Sequence, residues 1–256
     1  MQISQQLRDW ANLKRNQASP RSAESILKER ADEDFDPDSM HVAICGPAGS
    51  GKSSLVNALR GLSDDDENAA RTGVDETTQE RGKYLAHSSF YPIVLYDFPG
   101  AGTIQHPCMG YYELNKLYLY SLLLITYGER LGEAEISIIK ECVQQNQPFI
   151  LVRSRSDELI NRLNGRRNDK RDEARHELIQ STVKTFKSQL GLLGGPSKVI
   201  EELMTYCLIV NRDDLPLLAK TPKSEWPRES STGEMQERQL LTLLGKRVGD
   251  EAATSR

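Results

Sequence analysis

The run Gly46-Pro-Ala-Gly49-Ser-Gly51-Lys52-Ser53 holds one long side chain, a cation, among glycines and other compact residues. In the spacing G-x-x-x-x-G-K-S these residue types form a cradle for phosphate. Glycine lets successive backbone N–H groups turn inward around a phosphate where a Cβ would block the approach. The motif has this meaning only between a buried strand and a helix start. His41-Val-Ala-Ile-Cys45 supplies the apolar strand, and a helical pattern over 52–60 follows at once. The start of that helix adds unpaired N–H groups and a dipole, both suited to a polyanion. Lys52 is then expected to reach the β- and γ-phosphates, and the Ser53 hydroxyl to ligate Mg²⁺. Gly46, Ala48, Gly49, Ser50, Gly51 and Ser54 are expected to line the cradle. A glycine turn without a ligand is the alternative, and Lys52 and Ser53 together argue against it. The expected ligand is a nucleoside triphosphate.

A divalent cation at such a cradle needs a carboxylate beside it. Ile93-Val-Leu-Tyr-Asp97-Phe-Pro-Gly100 ends an apolar stretch in Asp97, with D-x-x-G spacing to Gly100. Asp97 is expected to hold Mg²⁺ directly or through water, and the Gly100 N–H to sense the γ-phosphate. A plain Asp-Phe-Pro-Gly surface turn is the other reading. Thr78, between the two motifs, is the candidate for a second hydroxyl on Mg²⁺, with Thr77 and Thr72 as competitors. On that reading residues 64–81 form a switch, ordered when the γ-phosphate is present. Their acidic composition also suits an ordinary loop.

Base choice is expected further along, where Leu151-Val-Arg-Ser154-Arg155-Ser156-Asp157 ends a strand in a carboxylate. Asp157 can accept from guanine N1–H and N2–H₂, a donor pair that adenine lacks, and would select GTP over ATP. The Arg155 stem would lie over the base plane. A helix N-cap role for Asp157 is the alternative. Asn211, or a backbone N–H beside it, would meet the base edge at the end of the next strand.

Positioning these residues calls for strands alternating with helices, the signature of βαβ units and a parallel sheet. Strands are predicted at 41–45, 83–88, 93–96, 122–127, 148–153 and 205–210. Helices are predicted at 52–60, 111–120 and 133–145, with a longer one marked by Ile179, Val183, Phe186 and Leu190. The fold class is therefore α/β, three layers around a mostly parallel sheet, with short flanking N- and C-terminal helices. Three segments are expected: an N-terminal helical segment and linker (1–38), the nucleotide-binding domain (39–220) and a C-terminal tail with one helix (221–256) carrying Leu240, Leu241, Leu244 and Val248. At the N-terminus, Ile3, Leu7 and Trp10 share a helical face too thin for a membrane anchor, so packing on the domain is expected.

A chain of 256 residues, 38% hydrophobic and 27% charged, can bury a sizeable core. A net charge of −4 gives no overall attraction to nucleic acid, and no such partner is expected. Cys45, Cys108, Cys142 and Cys207 show neither metal-ligand nor disulfide-framework spacing, which suits free thiols in the cytosol. The longest nearly continuous apolar run, Leu117 to Thr126, is ten residues. About twenty are needed to span a bilayer, so the protein is expected to be soluble, or at most peripheral to a membrane.

The chain resembles the immunity-related (interferon-inducible) GTPases, within the dynamin-like part of the P-loop GTPases. The resemblance rests on Gly46–Ser53, Ser53-Ser-Leu-Val-Asn-Ala-Leu-Arg-Gly61, Ala69-Ala-Arg-Thr-Gly-Val74 and Thr78-Gln-Glu-Arg81. It continues through Asp97-Phe-Pro-Gly100, Tyr112-Glu-Leu-Asn-Lys-Leu117 and Val152-Arg-Ser-Arg-Ser-Asp157, so it covers roughly residues 35–215. It implies the P-loop GTPase fold, with Lys52 and Ser53 as phosphate and Mg²⁺ residues and Thr78 as the switch threonine. Asp97 and Gly100 would form the second switch, and Asp157 the guanine selector. It also implies hydrolysis of GTP to GDP, dimerisation across the nucleotide face and association with intracellular membranes in cell-autonomous defence. The chain departs from the family pattern at Ser154-Arg155, where Thr-Lys is usual, and it stops soon after the G domain, where members usually add a helical domain.

Small GTPases commonly carry a glutamine just after D-x-x-G to orient water; here that position is Ala101. Slow intrinsic hydrolysis is the expectation, with dimerisation supplying the missing contacts and Arg71, Glu76 and Arg81 as candidate donors. A nucleotide-gated binding module with little turnover, and an ATPase or kinase of the P-loop class, are the rival readings.

Overall fold

A computed structural model describes residues 4–12, 21–72, 80–87, 92–156, 171–192, 196–211, 214–221, 223–226 and 236–254; for 12, 171, 172, 174, 175, 192 and 246–254 it describes the main chain alone. Thr77, Thr78, Glu76 and Asp157 lie outside the described residues.

Six strands form one sheet: β1 (Met40–Cys45), β2 (Gly82–Leu85), β3 (Ile93–Asp97), β4 (Leu122–Tyr127), β5 (Phe149–Arg153) and β6 (Cys207–Ile209), in the order β2-β3-β1-β4-β5-β6. β2 is antiparallel to β3 at one edge; every other pairing is parallel. Every residue of β1, β3, β4 and β5 is buried, as a sheet covered on both faces requires. Alternate residues therefore feed two cores. Ala43, Cys45, Tyr96, Leu123, Ile125 and Leu151 face one core; Val42, Ile44, Leu95, Leu124, Ile150 and Val152 face the other.

The first core is covered by α1 (Gln5–Asn12), α5 (Glu133–Gln144), α6 (Arg171–Leu192) and α7 (Ser197–Thr205), numbered with α2 (Ala23–Asp32), α3 (Lys52–Leu59) and α4 (Tyr111–Leu114) in chain order. Leu7 and Trp10 of α1 are buried there, and Gln144 Nε2 donates to the Ala11 carbonyl at 3.0 Å. The apolar face of α1 is thus spent on the domain. The second core is covered by α3, α8 (Leu215–Lys220) and α9 (Glu237–Thr254), with Leu240, Leu241 and Leu244 buried. Among the described residues no helix is long and apolar enough to cross a membrane.

Some elements differ from the sequence expectation. The helix expected over 111–120 is one turn of α4, a left-handed Lys116 (φ 47°) and a 3₁₀ turn at Leu117–Leu119. Burial of Leu117, Tyr118 and Leu119 together cannot be met by one helical face. Thr205 ends α7 instead of starting a strand, its hydroxyl bonded to the Glu202 carbonyl at 2.7 Å. In α6 the buried side is Leu178, Thr182, Phe186 and Leu190, while Ile179 and Val183 are half-buried. α8 was not expected; Pro216 sits in its first turn, where the missing N–H costs no helix bond.

Candidate functional site

β1 lies between β3 and β4, so the chain leaves it toward one side of the sheet and later crosses to the other. Ligands of open α/β sheets bind at the carboxyl ends of strands at such a reversal. The loop 46–51 occupies that position, between β1 and α3. Gly46 leaves β1 with φ 143°, and a Cβ there would sit 2.3 Å from the Thr126 carbonyl oxygen at the end of β4. No other residue fits.

The loop is braced from β4 and from the end of β5. Ser50 and Thr126 hydroxyls lie 2.6 Å apart, and Thr126 Oγ1 also donates to the Cys45 carbonyl at 3.2 Å. Ser154 Oγ, just past β5, donates to the Ser50 carbonyl at 2.5 Å. Lys52 begins α3 and is buried, its Nζ donating to the Pro47 carbonyl at 2.9 Å. The ammonium is thereby folded back over the loop. Beneath it, burial pushes the Cys45 thiol up to about 12, so that side chain stays neutral.

The Ser53 hydroxyl donates to Asp97 Oδ2 at 2.6 Å, joining the start of α3 to the end of β3. A hydroxyl and a carboxylate oxygen this close are hard donors of the type Mg²⁺ takes, next to a phosphate cradle. The strip after Asp97 lies against the loop itself. Ala101 N–H donates to the Gly46 carbonyl at 3.0 Å, Pro47 and Ala101 form a parallel bridge, and a Cβ on Gly100 would sit 2.6 Å from Ala48 Cα. Gly100 is therefore in direct contact with the cradle.

Ser54, expected to line the cradle, donates to Asp64 Oδ2 at 2.7 Å. Arg155 has φ 56° and an exposed side chain whose guanidinium approaches Gly49: a Cβ there would lie 4.0 Å from its Nη2. Asn211, expected at the base edge, instead turns inward. It is 1% exposed, its N–H donates to Glu237 Oε1 at 2.5 Å and its Nδ2 to Asp214 at 3.0 Å. The structure thus brings Gly46, Ala48, Gly49, Ser50, Gly51, Lys52, Ser53, Asp97, Gly100 and Arg155 to one end of the sheet; Thr78 and Asp157 lie outside the described residues.

Sequence reasoning missed the braces Thr126 and Ser154, and also Asn57. Asn57, fully buried on α3, takes the Ala70 N–H on Oδ1 at 2.7 Å, and its Nδ2 donates to the Ala70 carbonyl at 3.0 Å and to Asp64 at 2.9 Å. An amide amid Leu55, Val56, Ala58 and Leu59 was the available signal.

Similarity to known proteins agrees with this arrangement. Residues 21–191 match the family model described as Interferon-inducible GTPase (IIGP). Interferon-inducible GTPase 1 of Mus musculus is 30% identical over 187 residues, covering 72% of this chain and 45% of that protein. Interferon-inducible GTPase 5 of Rattus norvegicus is 31% identical over 188 residues, covering 73% and 40%. The chain spans less than half the length of these relatives. In fold it is similar to a dimerization-deficient mutant of Toc33 from Arabidopsis thaliana (TM-score 0.51, 15% identity, 97% of this chain and 94% of that one). It is also similar to LeoA, a bacterial dynamin GTPase from ETEC (TM-score 0.51, 17% identity, 98% and 44%). With a phosphate-type loop at the sheet reversal and a family model matching most of its length, the chain belongs to the interferon-inducible GTPase family.

Proposed function

We propose that the protein binds GTP with Mg²⁺ at the 46–53 loop and hydrolyses it to GDP. The observation that carries this reading is the joint placement of Lys52, the Ser53–Asp97 pair and Gly100 around one braced glycine loop. Lys52 would leave the Pro47 carbonyl for the β- and γ-phosphate oxygens, and Ser53 and Asp97 would hold Mg²⁺, with Thr78 as a further hydroxyl. The cation would supply charge neutralisation between the phosphates. Gly100, against Ala48, would meet the γ-phosphate, Ser54 would complete the lining, and Asp157 with Arg155 would select and cover the guanine.

Ala101 is 2% exposed and offers no side chain to orient water. We therefore propose slow turnover by the single chain, raised when two copies meet across the nucleotide face, with Arg71, Glu76 or Arg81 completing the site. Toc33, similar in fold, is a protein for which a dimerization-deficient mutant exists. Residues 39–220 are proposed as the nucleotide unit, with residues 1–38 and 221–256 flanking it. Four free cysteines suit the reducing cytosol, and peripheral contact with intracellular membranes is proposed from family membership. Phosphate release measured over a range of protein concentrations tests the proposal. Turnover per molecule should rise with concentration and vanish in Lys52→Ala. A flat rate would remove the dimer, and no release at any concentration would leave a nucleotide-gated binding module.

A further inference from the structure

Pro99 and Gly100 share one planar peptide unit, so the carbonyl of the first and the N–H of the second point in opposite directions. Fixing either group fixes the other. Glycine at 100 leaves this unit free to rotate unless something holds it. In the structure Tyr111, the first residue of α4, holds it: the phenol oxygen donates to the Pro99 carbonyl at 2.6 Å. Tyr111 is 1% exposed and its ring stands edge-on to His106, with centroids 6.4 Å apart. Burial raises its hydroxyl pKa well above 10, so it remains a proton donor. The contacts of Gly100 and Ala101 with the cradle set where the strip lies, whereas the bond from Tyr111 sets how the peptide is turned.

We propose that Tyr111 is a positioning residue for nucleotide discrimination: by holding the Pro99 carbonyl it sets the direction of the Gly100 N–H, and with it the preference for a triphosphate over a diphosphate. This rests on the proposed GTP site. A diphosphate fills the cradle without reaching Gly100, whereas a γ-phosphate needs that N–H turned toward it. Without the phenol oxygen the peptide spreads over several rotations, and apparent affinity for the triphosphate falls with the fraction correctly turned.

The test uses the full chain with Mg²⁺, measuring Kd for GDP and for a non-hydrolysable GTP analogue in the wild type and in Tyr111→Phe. The substitution removes one oxygen and keeps the ring, so GDP binding doubles as the control for folding. GDP affinity should stay at the wild-type value while the analogue binds about 3- to 10-fold more weakly, the range of one net hydrogen bond. An unchanged ratio, equal weakening of both, or tighter binding of the analogue would overturn the role of Tyr111 and leave the GTP site standing. Wild-type protein that bound neither nucleotide would overturn both.

Discussion

At the residue scale, the site is a set of small side chains whose value lies in where they let the backbone go. Gly46 has the tightest constraint, because any Cβ would meet the Thr126 carbonyl at 2.3 Å. Gly46→Ala should destabilise the fold by about 2 kcal/mol or more, since backbone is what must yield. Thermal or denaturant unfolding checks this, and a stability equal to wild type would count against the geometry. Lys52 is expected to contribute charge, not packing. Lys52→Ala should unfold near the wild-type temperature without nucleotide yet bind GTP about 10- to 100-fold more weakly, the loss of a charge-assisted bond. Isothermal titration reads that loss. That Gly46, Lys52, Ser53, Asp97 and Gly100 would come together at one end of the sheet was legible in the sequence, because their spacing is local and each ends or follows an apolar strand. Ser154 and Thr126 were not, because their partners at Ser50 lie 104 and 76 residues away.

At the scale of elements, the parallel strands were legible from apolar runs long enough to be buried on both faces. The Tyr111–Tyr120 stretch misled because tertiary burial of Leu117–Leu119 outweighs local helix propensity. The segment after α3 shows a second limit. Asn57 binds both main-chain groups of Ala70, tying the approach to residues 73–79 onto the helix. Asn57→Ala would leave a buried N–H and carbonyl without that partner, at a cost of about 1–3 kcal/mol. Amide exchange should speed up across residues 63–70 before it changes in β1 or β4. Uniform protection in the variant would show that the segment is held by other contacts.

At the scale of the whole molecule, the sheet joins the end that carries the 46–51 loop to the opposite end, where β1 begins. There His41 is buried beside Phe35, its Nε2 2.8 Å from the Asp36 carbonyl and its Nδ1 2.9 Å from the Tyr96 hydroxyl. The carbonyl can only accept, so Nε2 carries the proton and Nδ1 accepts from Tyr96. Burial lowers the His41 pKa, against the backbone bond to Asp36 and with help from Arg30 and Lys83. The unfolded chain would take up a proton near pH 6.5 that the folded chain resists, so it binds more protons below that point. This contribution is complete above about pH 6.5 and is lost as the pH falls toward the depressed folded value. The melting temperature should therefore drop between about pH 7 and 5, with a shallower slope in His41→Gln; equal slopes would assign the loss to other groups.

The central claim is that the braced loop at the sheet reversal grips a guanine nucleotide. The most direct measurement is thermal stabilisation of the full chain by GDP, GTP and ATP with Mg²⁺, since a ligand that binds the folded state raises the melting temperature with occupancy. GDP and GTP should each raise it while ATP at the same concentration does not. Equal stabilisation by ATP would contradict the guanine assignment, and no stabilisation by any of the three would contradict the site itself.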